Sequence, residues 1–176
     1  MSFESFPLKY LGACSPAVLA QVHALMAQDR LGEYIQSRYG EVNPVRNDKD
    51  LRLAAVELKD RFMRTTAPLS KVLYDGRLQA LSHALGTHTT VSRVQGQKLK
   101  ASREIRVATV FRTAPAAFLK MVLVHELAHL KESDHNKAFY RLCVHMAPDY
   151  HQLEFDLRLY LTFLEFRQAR IDPQTS

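Results

Sequence analysis

The stretch VHELAHLKESDH, from Val124 to His135, places three histidines and a glutamate in a segment otherwise apolar enough to be core. Side chains of this kind are costly to bury unless something offsets their desolvation. On a helix, His125 and His129 stand one turn apart and can grip one ion, while Glu126, about 100° round the axis, reaches a water held on that ion. This is the HExxH arrangement. The helix is expected to end near Leu130 or Lys131, after which KESD reverses the chain and lets His135 return to the same ion as a third ligand. Three protein ligands leave a fourth position open for water, as a catalytic site requires. Zn2+ held by three neutral histidines lowers the pKa of its water from about 15.7 towards about 7. Glu126 is the expected catalytic base, taking a proton from that water and passing it to the leaving group. Such a site attacks carbonyl or phosphoryl centres.

The helix carrying these residues must be buried. Met121, Val122, Leu123, Val124, Leu127, Ala128 and Leu130 cover nearly its whole circumference, so solvation of an amphipathic face does not account for the polar trio. Behind it, helical texture is expected from about Asn136 to Met146 and, after Pro148, from about Asp149 to Gln168. Ahead of it the texture is extended. KVLYDGRLQAL reads as a hairpin about an Asp75-Gly76 turn, and EIRVATVFR alternates, with Ile105, Val107, Thr109 and Phe111 on one face. The N-terminal third is helical: Ser15 and Pro16 open one segment, and Asn47 or Asp48 opens another with the stripe Leu51, Ala55, Leu58 and Phe62. The expected fold is therefore α+β, a small, mostly antiparallel twisted sheet packed on helices, with helical N- and C-terminal parts. With no repeat, low-complexity tract or evident linker, residues 1–176 are expected to form a single domain.

A chain of 176 residues, 47% hydrophobic and 24% charged, can bury a real core. No secretory leader is recognisable at its start, and its longest aliphatic run, MVLV, is far too short to span a bilayer. Cys14 and Cys143 suggest neither a disulfide framework nor a zinc knuckle. A cytoplasmic protein with no membrane partner is expected. The net charge of +6 is partly local: Val91 to Arg112 holds six basic residues and one acidic one, Glu104. Such a surface attracts anions without naming them, and it also serves solubility alone.

The string HELAHLKESDHNKAFYRLCVHMAPDYHQLEF resembles the YgjP-like family of small metallopeptidase-type proteins, in which HELxH precedes a third His, an aromatic-containing helix and a Pro-Asp-Tyr start to the last helix. VSRVQGQKLKASREIRVATVFR resembles the strand pair ahead of that family's HExxH helix, although it lacks the GSCS and GxIxLN texture of many members. The order of elements agrees from roughly Leu8 to Phe166. The resemblance implies a zincin-like, minimal gluzincin fold: a twisted sheet, an active-site helix beneath it, and a second helix delivering the third ligand. That core is shared with SprT-like proteases, whose third ligand is also His.

Three functions compete. The first is a zinc metallopeptidase that binds an extended peptide along a sheet edge. The second is a phosphoanhydride hydrolase acting on nucleoside triphosphates, motivated by Arg93, Lys98, Lys100, Arg103 and Arg106 just ahead of the metal helix. The third is a nucleic-acid-associated module, for which no recognised motif is visible. The family resemblance places the peptidase first. Arg93, Lys98, Arg103 and Tyr140 are candidate substrate-binding residues, with Arg93, Tyr140 and Tyr150 as candidate oxyanion stabilisers. His23, His83, His88, His145 and His151 are expected to play ordinary polar or packing roles, with His88 and His151 the two to compare against the metal position.

Overall fold

Apolar residues on every side of one helix dictate where the chain is most deeply buried. In the computed structural model, which describes residues 6–78 and 104–171, that helix spans Ala116–Ala128. Its Phe118, Met121, Val124, Leu127 and Ala128 are all fully enclosed. Numbered in chain order, the helices are α1 (Pro16–Ala27), α2 (Leu31–Tyr39), α3 (Asp48–Phe62), α4 (Ala116–Ala128), α5 (Lys137–Met146) and α6 (Tyr150–Ile171). Among the described residues the strands are β1 (Lys71–Asp75) and β2 (Glu104–Ala108).

Several boundaries follow from capping chemistry. Ser15 Oγ accepts from the Val18 amide at 3.4 Å and Pro16 occupies the first turn of α1. Asn47 accepts from the Asp50 amide at 2.9 Å to open α3, and Asn136 does the same for the Phe139 amide at 2.9 Å to open α5. Helix α4 starts without a side-chain cap. There the Ala116 amide donates to the Glu41 carbonyl at 3.3 Å, which supplies an acceptor to an otherwise orphaned N–H.

The chain gathers into two compact units, one formed by Met1–Gly40 with Gln152–Ser176 and the other by Glu41–His151. In the first, α1 packs on α2, and the buried Asp156 carboxylate of α6 accepts from the Tyr39 hydroxyl at 2.5 Å and from Gln152 at 3.0 Å. In the second, α4 packs on α3, α5 and β2, while α3 packs on β1. Asp48 Oδ1 accepts from the Tyr74 amide at 2.9 Å, tying the start of α3 to β1. The buried Asn43 side chain donates to the Phe111 carbonyl at 2.8 Å.

Two strand expectations need correction. The Asp75-Gly76 turn forms, with the Leu78 amide reaching the Asp75 carbonyl at 3.3 Å, but β1 pairs with β2 in parallel, Val72 opposite Ile105 and Tyr74 opposite Val107. The described residues thus hold a two-stranded parallel sheet rather than an antiparallel one. A tight turn joins antiparallel strands only, so the parallel partner of β1 cannot be the strand directly after that turn. The alternating pattern past Ala108 is likewise not strand. Thr109–Arg112 forms a 3-10 turn that still buries Phe111, as the strand buries Ile105 and Val107. The second half of the expected hairpin beyond Leu78, and the stretch from Val91 to Arg103 with Arg93, Lys98, Lys100 and Arg103, lie outside the described residues, as do His83 and His88. No helix among the described residues is long and apolar enough to cross a membrane.

Candidate metal centre

The last turn of α4 and the loop into α5 bring three imidazoles together. His125 lies inside the helix and His129 caps its end. The helix then tightens, with the Leu130 and Lys131 amides bonding three residues back to Leu127 and Ala128 at 3.0 Å. The chain reverses through Glu132 to Asp134 and delivers His135 just ahead of the Asn136 cap of α5. The Nε2 atoms of His125, His129 and His135 form a triangle with sides of 3.1, 3.2 and 3.1 Å. Three nitrogens sharing one tetrahedral ion at about 2.0–2.1 Å would stand about 3.3 Å apart, so the triangle fits a single small cation.

The outer nitrogens have partners suited to that task. His129 Nδ1 lies 2.9 Å from the Glu132 carbonyl, an atom that can only accept, so Nδ1 carries the proton and Nε2 of the neutral ring presents its lone pair. His125 Nδ1 lies 2.7 Å from the Tyr150 hydroxyl. Beneath the three rings sits Phe139, fully buried, its centroid 5.0 Å from His125, 4.5 Å from His129 and 4.7 Å from His135. One aromatic side chain therefore braces all three imidazoles.

Glu126 is next in sequence to His125 and keeps a partly accessible surface. Desolvation pushes its carboxyl up to about 8 in the absence of an ion. A cation held by the neighbouring histidines acts in the opposite direction, favouring the carboxylate that can accept a proton.

Of the other expected residues, Tyr140 lies beside the triad, its ring 6.3 Å from that of His135 and 5.4 Å from that of His151. Tyr150 turns its hydroxyl to the outer nitrogen of His125, a poor position for stabilising an oxyanion on the Nε2 side. The two basic residues of the local cluster that are described are already engaged: Arg106 pairs with Asp75 at 2.6 Å and with Glu104 at 2.6 Å, and Arg112 stacks on the Tyr74 ring at 4.9 Å. The candidates Arg93, Lys98 and Arg103 fall outside the described residues. His23 lies 3.3 Å from the Phe6 carbonyl and His145 packs edge-on against Phe62, the ordinary roles expected of them. Phe139 escaped sequence reasoning as part of the site. Its one signal was an aromatic residue four positions after His135, opening the first turn of a helix.

The YgjP-like family, described as a YgjP-like metallopeptidase domain, matches residues 74–160, a span that contains the whole triad, Phe139 and Tyr150. A UTP pyrophosphatase from Escherichia coli (strain K12) is 54% identical over 164 residues, covering 93% of this chain and 98% of that protein. No solved structure matches. With kinship that close along nearly the full length of both chains, the protein belongs to the YgjP-like family.

Proposed function

We propose that the protein is a metal-dependent hydrolase that cleaves a phosphoanhydride bond of nucleoside triphosphates, UTP foremost, releasing pyrophosphate. The observation that carries the substrate class is the 54% identity, over nearly all of both chains, to a protein named UTP pyrophosphatase. The histidine triangle supports the metal dependence.

His125, His129 and His135 would hold the ion, and Zn2+ suits three imidazole nitrogens at this spacing. When bound, such an ion supplies Lewis acidity that polarises a phosphoryl oxygen and acidifies water. Glu126 accepts a proton from the attacking water as its oxygen bonds to the α-phosphorus. The bond from that phosphorus to the bridging oxygen breaks, and Glu126 returns the proton to the departing pyrophosphate. Tyr140, whose ring lies 6.3 Å from that of His135, would contact substrate. Arg93, Lys98 and Arg103 have the chemistry to bind a polyphosphate, because guanidinium and ammonium groups pair with its oxygens.

The second reading is a zinc metallopeptidase, favoured by the family's description as a metallopeptidase domain and by a ligand set equally suited to a carbonyl electrophile. Assay of the Zn2+-loaded protein against UTP, the other nucleoside triphosphates and a mixed peptide library separates the two. Pyrophosphate release that is lost in Glu126→Gln supports the first. Peptide cleavage lost in the same variant, with UTP untouched, replaces it with the second.

A further inference from the structure

We infer that Tyr150 is the positioning residue for the metal ligand His125, accepting a hydrogen bond from its Nδ1–H and thereby fixing both the ring's orientation and the tautomer that presents Nε2 to the ion. This rests on the metal centre proposed above. The phenol oxygen lies 2.7 Å from Nδ1, and both residues are buried, Tyr150 fully and His125 with 2% of its surface exposed. Their rings are nearly parallel, 17° apart with centroids at 6.4 Å, so the hydroxyl meets the imidazole close to its own plane. The backbone anchors the phenol: the Tyr150 amide donates to the Ala147 carbonyl at 2.9 Å and begins α6.

The tautomer argument follows from the inventory of donors. A neutral imidazole has one N–H and one lone pair. If the Tyr150 hydroxyl donated to Nδ1, the ring proton would sit on Nε2 and point towards His129 Nε2 at 3.1 Å and His135 Nε2 at 3.2 Å, closing the triangle to a cation. With Nδ1–H donating to the phenol oxygen instead, the lone pair of Nε2 faces inward. His129 secures the same outcome through a main-chain carbonyl, which no side-chain substitution can remove. His125 relies on a side chain, and that makes its control testable. Outer partners of metal-bound histidines typically contribute about 10- to 100-fold in metal affinity.

The test is Zn2+ affinity of the metal-stripped full-length protein, measured by competition with a chromogenic chelator, together with the visible spectrum of the Co2+-loaded form. Tyr150→Phe keeps the ring and removes only the oxygen. It should weaken Zn2+ binding about 10- to 100-fold and alter the Co2+ bands. His151→Ala, an exposed neighbour in the same turn, should change neither. Equal Zn2+ affinity and an identical Co2+ spectrum in Tyr150→Phe overturn the role of Tyr150 while leaving the metal centre intact. A wild-type protein that binds neither ion overturns the centre itself. Independently of any variant's folding, nitrogen-resolved NMR of the Zn2+-loaded wild type should show a proton on His125 Nδ1, and a bare Nδ1 refutes the assignment.

Discussion

His129 Nδ1 donates to the main-chain carbonyl of Glu132 at 2.9 Å, so the residue that ends α4 also fixes its own tautomer through the loop that follows. Because the acceptor is backbone, the Glu132 side chain is dispensable to it. Glu132→Ala should keep Zn2+ affinity within about twofold of wild type, whereas His129→Ala, which removes a ligand outright, should abolish stoichiometric binding. Equilibrium dialysis with metal analysis distinguishes the two outcomes.

Phe139 braces three imidazoles at once, and its truncation should be felt in both packing and metal binding. Phe139→Ala is expected to cost about 3–5 kcal/mol of stability, as large core truncations do. Phe139→Leu should cost less. Thermal unfolding with and without Zn2+ checks this: the stabilisation gained from the ion should shrink in Phe139→Ala, since the three ligands lose their common support.

The first strand carries a pH dependence that is separable from the metal. The Arg77 main-chain N–H at 2.9 Å, then the Arg77 and Arg106 guanidinium groups, hold the Asp75 carboxyl well below the usual carboxylate range. A carboxyl with a lowered pKa in the folded state contributes stability above its unfolded value of about 3.9 and loses it as the pH falls towards the folded value. Thermal midpoints measured from about pH 5 down to about pH 2 should therefore fall more steeply for wild type than for Asp75→Asn. Parallel curves would show that the Asp75–Arg106 link does not couple to folding.

The parts of this molecule that were legible in sequence share a physical cause: each depends on residues close together in the chain. His125, His129 and His135 could be placed because helical geometry fixes the i, i+4 pair and a short reversal fixes the third. Ser15, the Asn47-Asp48 pair and the texture change at about Asn136 marked helix starts, and the structure shows Ser15, Asn47 and Asn136 as the caps, each bonding within its own first turn. The partner of β1 was illegible for the opposite reason. Asp75-Gly76 encodes a turn, which does form, but a turn does not name the strand that pairs, and β2 begins only at Glu104, far along the chain. Alternation after Ala108 misled because burying Phe111 satisfies the pattern whether the backbone is a strand or a 3-10 turn. Tyr150 carried a visible motif, but its role depended on which nitrogen its hydroxyl faces, and only the fold, which sets that hydroxyl 2.7 Å from His125 Nδ1, fixes that.

The most direct test of the account is pyrophosphate release from UTP by three samples: the Zn2+-loaded wild type, the same protein stripped of metal, and Zn2+-loaded Glu126→Gln. The account predicts turnover by the loaded wild type, loss on stripping with recovery on adding Zn2+ back, and a fall of at least about a hundredfold in Glu126→Gln with metal content unchanged. Turnover of UTP by the stripped protein or by Glu126→Gln at the wild-type rate would contradict it.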